Sequence, residues 1–360
     1  MKKHKLIGVW NYHNILNNSN IWFSPNAGRE VGIKYSGGTE SLKSFFNVYQ
    51  ELTREKVEIK ILDKIDNLNE VDLFIFCNLD LKNKYVKKAF ETIAPKYLLL
   101  LETEIHIPDM WDSDVYSKFD KIFTWHDNLI DNKKFFKINS PGFEPPIAPF
   151  RIHKDIKKKD KLCILMGSNK NSNHKLSIYH KRIEAVRWFE KNYPDKLDFY
   201  GYDWNIYIFR GLVGIRILNR FKILQKLFAP KFLNYKGEHN GSKTPLYEKY
   251  KFSLCFENTI DAPGNITEKI FDCFFAGCVP IYLGGNNNIE KYIPSDCFVD
   301  FKNFKNYEDL YGFMINTSDT ELLKYINNIE NFLNSSKYFI FTNEHYKQVL
   351  LREIRKEINY

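Results

Sequence analysis

No stretch of the sequence reaches the ~18 consecutive apolar residues that a membrane-spanning helix needs, so an integral membrane protein is not expected. The start Met1-Lys2-Lys3-His4-Lys5 is basic, like the front of a secretion signal. The apolar run Leu6 to Trp10 behind it stops too soon, at the polar stretch Asn11 to Asn14. Cysteine is sparse. The six at 77, 163, 255, 273, 278 and 297 have neither zinc-pair spacing nor the density of a secreted disulfide scaffold, and most sit in apolar runs. They are read as reduced core residues. There is no fixed-period repeat, and no RRM, KH or zinc-finger signature. These absences together point to a cytoplasmic protein, peripheral at most on the inner face of a membrane.

What is present is a large, aromatic-rich chain. Its 360 residues are 44% hydrophobic and 16% aromatic, with 30 Phe and 22 Tyr, which argues for packed cores and against disorder. Length favours two domains sharing a cleft. Lys and Arg outnumber Asp and Glu by 53 to 44, for a net charge of +9, so anionic partners are favoured: nucleotide-sugars, nucleic acid or acidic membrane.

Short apolar runs alternate with helical patterns, the signature of an α/β fold with parallel sheets. Strands are expected at Lys5–Trp10, Val57–Leu62, Val71–Phe76, Tyr97–Leu101 and Lys121–Thr124. A second set is expected at Leu162–Met166, Leu197–Tyr200, Phe252–Phe256, Val279–Leu283 and Phe298–Asp300. Between the sets, Ser140 to Pro149 carries four prolines, which fit neither a helix interior nor a central strand, and reads as a linker. The expected division is an N-terminal domain over 1–150, a C-terminal domain over 151–345 and a helical tail over 346–360. Two Rossmann-like halves joined this way form a GT-B-like arrangement with ligands in the cleft. Ligands of such sheets bind beyond the carboxyl ends of the strands, where Glu102, Gly167-Ser168-Asn169, Gly201 and Glu257-Asn258 stand. Residues 210–228 interleave Arg210, Arg216, Arg220, Lys222 and Lys226 with Leu and Ile. That reads either as a basic amphipathic helix in peripheral contact with an anionic bilayer or as a surface helix packed on its own domain.

The densest chemistry lies in Tyr250 to Lys269. A strand ends in Glu257-Asn258, Pro263-Gly264 turns the chain, and from about Thr267 apolar residues recur at helical spacing as far as Gly277. A strand, loop and helix N-terminus favour phosphate. Lys269 adds a cation there, and Glu268 is placed to accept from ribose hydroxyls. The structural alternative is that Asn265 and Glu268 form a capping box and Lys269 is solvated.

This stretch resembles the signature of the α1,3-fucosyltransferases, glycosyltransferase family 10: Phe-Glu-Asn, a short loop, Thr-Glu-Lys, and an apolar helix ending near Val-Pro. Similarity at Tyr200–Trp204 and Tyr235–Gly237 follows in the same order, so the resemblance covers most of residues 95–300. It implies that Glu268 binds the ribose and Lys269 the diphosphate, with Arg182, Glu257, Asn258, Asn265 and Thr267 around the donor. Two features depart from the family pattern: Asn265 stands where an aromatic residue is common, and the preceding loop is one residue longer. Residues 206–231 read as an insertion.

Inverting transfer requires a base for the acceptor hydroxyl, a task suited to a carboxylate. Glu102, after the strand ending Leu98-Leu-Leu-Leu101, is the candidate, and the family has a catalytic Glu in the corresponding segment. Glu104 is its rival. Lys269 is the second catalytic candidate, for the leaving diphosphate. Arg182 resembles a donor-contacting Arg of the family, with Lys175, Lys181 and Arg187 as competitors. His106 and His126 lie in the acceptor half, where each is either a sugar contact or structural. Asp112-Ser113-Asp114 imitates a manganese-binding Asp-x-Asp, but it precedes a helical run rather than ending a strand.

The expected activity is metal-independent transfer of fucose, with inversion, from GDP-β-L-fucose to a glycan or glycolipid, in α1,3 linkage. The expected acceptor is an N-acetylglucosamine-containing surface polysaccharide, lipopolysaccharide or protein glycan. No cofactor is expected. The alternatives are transfer of another GDP-deoxysugar and, more remotely, a basic nucleic-acid-binding protein, against which the even spread of basic residues argues.

Overall fold

A computed structural model describes residues 5–12, 23, 37–139, 143–209, 212–285 and 288–358. The first sheet contains β1 (Leu6–Asn11), β2 (Glu58–Ile61), β3 (Leu73–Cys77), β4 (Lys96–Leu100), β5 (Lys121–Thr124) and β6 (Phe135–Lys137). All are parallel, in the order β2-β1-β3-β4-β5-β6. The central strands LFIFC and KYLLL are near-continuous apolar runs because helices and turns cover both faces of such a sheet. β6 was not foreseen: three residues behind Lys133 and Lys134 are too short a run to register as a strand.

The second sheet holds β7 (Lys161–Met166), β8 (Leu197–Tyr200), β9 (Tyr250–Ile260), β10 (Val279–Gly285) and β11 (Val299–Asp300), again all parallel, ordered β11-β10-β9-β7-β8. β9 corrects the sequence reading. It runs on to Ile260, so Glu257 and Asn258 lie within the strand rather than just beyond it. Each sheet reverses its strand order at one point, between β1 and β3 and between β7 and β9, and at such points the loops splay apart to leave a crevice.

Four helices matter for the site: α1 (Gly37–Arg54), α2 (Tyr179–Asn192), α3 (Glu268–Phe275) and α4 (Asn343–Glu357). α4 takes in most of the expected tail but is no appendage. Its Tyr346, Leu350, Leu351 and Ile354 belong to the core under the first sheet, and Lys121 pairs with Glu353 at 3.1 Å. Of the Pro-rich linker, 140–142 lie outside the described residues. Phe143 then bridges to Thr342, so the outgoing and returning strands of chain cross side by side.

A polar cluster pins the halves together. Asp127, in the turn after β5, accepts from Lys137 at 2.6 Å, from Asn288 Nδ2 at 2.6 Å and from the Tyr292 hydroxyl, and its N–H donates to Pro263 O at 3.0 Å. Burial works against its charge, but these donors outweigh that and hold the carboxyl below its ordinary range. Gly264 (φ +84°) is required beside it, because a Cβ there would strike the Trp125 carbonyl and the Lys137 ammonium.

The segment 210–228, where Arg210 lies outside the described residues, is not one amphipathic helix. Two short helices, Val213–Arg216 and Lys222–Leu227, flank a 3-10 turn. Asn219 is the reason: its side chain accepts from Phe209 N at 2.8 Å and donates to Phe209 O at 2.9 Å, folding the chain back on itself.

Candidate functional site

The cluster expected on the donor side is built on β9 and the turn leading into α3. Glu257 is 0% exposed, an expensive position for a carboxylate unless it is fully paired. It accepts from Thr267 N at 3.1 Å, Thr267 Oγ1 at 2.8 Å and Lys269 Nζ at 3.0 Å. Gly284 on the neighbouring β10 makes room for it, since any Cβ would overlap the Glu257 side chain. Thr267 also caps α3, and its hydroxyl accepts from Lys269 Nζ at 2.9 Å. The expected capping role of Asn265 is therefore taken by Thr267. Asn265 instead donates to Thr259 Oγ1 at 2.9 Å within the loop.

Lys269 is thus fixed rather than solvated. Burial opposes its charge, but Glu257 and Glu268 outweigh that and raise its pKa above the ordinary lysine value. Glu268 faces the same balance with the opposite sign. Burial raises it, while Lys269 and Lys243 pull harder and hold it below the usual range. Behind them burial pushes Asp272 up to about 6, with Lys243 at 2.5 Å opposing the shift. The site therefore presents an obligate cation and an ionised carboxylate in consecutive positions of one helix N-terminus.

Arg182, in the first turn of α2, reaches back to β9. Its Nη2 donates to Phe256 O and Asn258 Oδ1, both at 2.8 Å, and Nη1 lies 3.4 Å from Ser168 O. It ties the carboxyl ends of β7 and β9 together at the crevice. Among the competing cations, Lys181 pairs with Glu184, Arg187 with Glu190, and Lys175 is exposed. Geometry separates Arg182 from these three. Beside it Trp204 Nε1 and Tyr235 Oη donate to Gly167 O and Gly201 O, each at 2.7 Å, shaping the ends of β7 and β8.

On the facing side Glu102 follows β4. Asn78, in the left-handed region (φ 46°) just after β3, accepts from Leu101 N at 2.8 Å and Glu102 N at 2.9 Å. Trp111 Nε1 donates to Glu102 O at 3.2 Å. The Glu102 carboxylate meets His106 Nδ1 at 2.8 Å, and His106 Nε2 meets the Tyr179 hydroxyl of α2 at 3.0 Å. Tyr179 in turn lies under Arg182, ring centroid to guanidinium 5.2 Å, and its phenol feels the charges of Arg182, Lys269, Glu102 and Glu257. All four charged candidates are thereby gathered around one tyrosine. Glu104 acts elsewhere, on Tyr116 and His126. Asp112 caps the helix Ser113–Tyr116, with Asp114 N donating to it at 2.8 Å, and among the described residues no three His, Cys, Asp or Glu side chains converge as metal ligands would.

Asn78 and Tyr179 were not singled out from sequence. The Glu102–His106 spacing of four was visible but not read as a pair. Tyr179 gave no signal, because its partner lies 73 residues away.

Two parallel-sheet halves, a crevice at each strand-order reversal and a cation at the helix that closes one of them define the GT-B class of glycosyltransferase. Two solved structures share this fold: an α1,3-fucosyltransferase (TM-score 0.51, 16% identity, covering 99% of this chain and 91% of that one) and a DNA-modifying β-glucosyltransferase (TM-score 0.51, 12% identity, 99% and 100%). The family model "Glycosyltransferase family 10 (fucosyltransferase) C-term" matches residues 156–349, and the chain belongs to that family. Similar curated proteins include the α-(1,3)-fucosyltransferase FucT of Helicobacter pylori, 33% identical over 120 residues (32% of this chain, 24% of that protein). Another is the 4-galactosyl-N-acetylglucosaminide 3-α-L-fucosyltransferase 9 of Mus musculus, 34% identical over 110 residues (30% and 26%). The matched region thus spans only about a quarter of those relatives.

Proposed function

We propose that this chain transfers L-fucose from GDP-β-L-fucose, with inversion, to a hydroxyl of a galactosyl-N-acetylglucosamine-type unit on a surface polysaccharide, lipopolysaccharide or protein glycan, in α1,3 linkage. The observation that carries the reading is Lys269, held charged at the α3 N-terminus beside Glu268 and facing Glu102 across the Tyr179 bridge. Two of the three ammonium N–H groups are engaged by Glu257 and Thr267, and the third serves the diphosphate. Glu268 receives the ribose hydroxyls, while Arg182 and Asn258 shape the pocket wall. Glu102 takes the acceptor proton as the hydroxyl attacks the anomeric carbon and GDP leaves from the opposite face. With leaving-group charge met by Lys269 and the α3 dipole, no metal is assigned a role. The acceptor assignment rests on the names of the relatives. Residues 1–150 would form the acceptor side and 151–345 the donor side.

The donor is testable directly. GDP is expected to raise the melting temperature progressively with concentration and UDP to do so far less, because a ligand stabilises only the state that binds it. Equal shifts would remove the guanine assignment.

A second contact is proposed for the segment around 210–228. No helix among the described residues is long and apolar enough to cross a membrane. Yet Leu212, Ile223 and Leu227 are 78%, 82% and 73% exposed, while Gln225 is buried and accepts from Tyr207 N. No Asp or Glu stands between Asp203 and Glu238, and Arg216, Arg220, Lys222, Lys226 and Lys231 lie among the exposed apolar side chains. This inside-out loop suits the headgroup boundary of an anionic bilayer. The protein is expected to co-sediment with vesicles containing phosphatidylglycerol and not with pure phosphatidylcholine, and Ile223→Glu with Leu227→Glu should abolish that binding. Unchanged sedimentation of the double variant would rule the surface out.

A further inference from the structure

We infer that His106 is a positioning residue for the Glu102 base, and that Tyr179, reaching from the donor half, sets the imidazole in the form that does so. The inference rests on the assignment of Glu102 as the base.

Glu102, His106 and Tyr179 form a three-member hydrogen-bonded chain. His106 meets Glu102 Oε2 through Nδ1 at 2.8 Å and Tyr179 Oη through Nε2 at 3.0 Å. Tyr179 is buried, and burial raises its phenol above its ordinary value, so it stays protonated and has a hydrogen to donate. If the phenol donates to Nε2, that nitrogen must be the bare one of a neutral imidazole, and the hydrogen sits on Nδ1, aimed at the carboxylate. Glu102 then receives a directed N–H on Oε2. That directed bond narrows the orientations in which the carboxylate offers its lone pairs, which matters where a reacting atom must be met in line.

The surroundings are consistent with this division of work. Thr103 Oγ1 lies 3.5 Å from Nδ1. The Glu102 backbone is already fixed by Asn78 and Trp111, so the side-chain torsions are what is left to control. Tyr179 cannot swing freely because its ring lies against Arg182, itself anchored to β9 by Phe256 O and Asn258. The base on the acceptor side is therefore oriented by a residue of the donor wall, and the hydrogen bond that does it spans the cleft.

The test uses the full chain and three variants, read by turnover, by KM for GDP-fucose and by the GDP-induced thermal shift. His106→Leu is expected to lower kcat about 10–100-fold, the usual effect of removing a group that orients a reacting one, with KM for the donor within about twofold of wild type. His106→Asn should recover most of that loss, because its amide N–H lies where Nδ1–H does. Tyr179→Phe keeps the ring on Arg182 and loses the tautomer lock, so an intermediate loss is expected. In His106→Leu the acid limb of kcat/KM should also move to higher pH, since a lost donor makes the carboxylate easier to protonate. Arg182, Lys269 and Glu257, whose charges act on Tyr179, are left in place by all three variants. Wild-type kcat in all three variants, or an Asn variant as damaged as the Leu variant, would overturn the inference. Should the Leu variant fail to fold, the Asn and Phe variants decide. A collapsed Glu102→Gln beside unaffected His106 and Tyr179 variants refutes the positioning role alone, whereas an active Glu102→Gln refutes the base itself.

Discussion

Glu102→Gln is expected to cut turnover by about 10²–10⁴ while leaving the GDP-induced thermal shift close to wild type. The amide keeps the size of the side chain, and the backbone stays held by Asn78 and Trp111, so the loss is of proton-accepting capacity rather than of shape. Donor binding should survive, because Lys269, Glu268 and Arg182 lie on α3 and α2, which belong to the other half. Glu104→Gln should be mild, since Glu104 acts on Tyr116 and His126 and not on the cleft chain. If the two variants exchanged phenotypes, the base would be Glu104. Full activity in both would place the catalytic carboxylate elsewhere.

Lys269→Ala should be still more disruptive, for two separable reasons. On the proposed reading the ammonium would meet the diphosphate in both the bound donor and the transition state, so affinity for GDP and turnover should fall together, turnover by about 10²–10³. The same change strands Glu257, 0% exposed, without its counter-charge, and breaking a buried pair typically costs about 3–5 kcal/mol of stability. Glu257→Gln combined with Lys269→Ala separates the two effects. The double variant should regain much of the melting temperature without regaining activity. A double variant that recovered GDP binding would show that Lys269 serves the fold and not the ligand.

Much of the scaffold could be read because parallel strands covered on both faces must be apolar throughout: Leu98 to Leu100 and Leu254 to Phe256 announce themselves. Where polar residues enter such a strand the reading fails. Glu257 and Asn258 looked like a strand end, and the approach of Lys269 and Arg182 explains how a strand carries a buried Glu257 beside a half-buried Asn258. The candidate donor residues form a local cluster in the sequence, whereas the links from Glu102 to His106 and on to Tyr179 depend on how two sheets face each other, which no local pattern encodes. The segment after Arg210 misled for a related reason. Its periodicity is helical, but Asn219 spends its side chain on the Phe209 backbone and breaks the run.

The return of α4 to the first sheet has a consequence for biosynthesis. Tyr346, Leu350, Leu351 and Ile354 complete the core over which β1 to β6 are laid, and the Tyr97 hydroxyl donates to Glu353 O at 3.1 Å. A ribosome delivers those residues only after every strand of the second sheet has been made. The usual order, in which the amino-terminal unit folds first during translation, is therefore reversed. The first sheet must wait, unfinished and with part of its apolar face uncovered, until the donor half is already in place. A nascent chain arrested before Asn343 should carry a protease-resistant second half and a protease-sensitive first one.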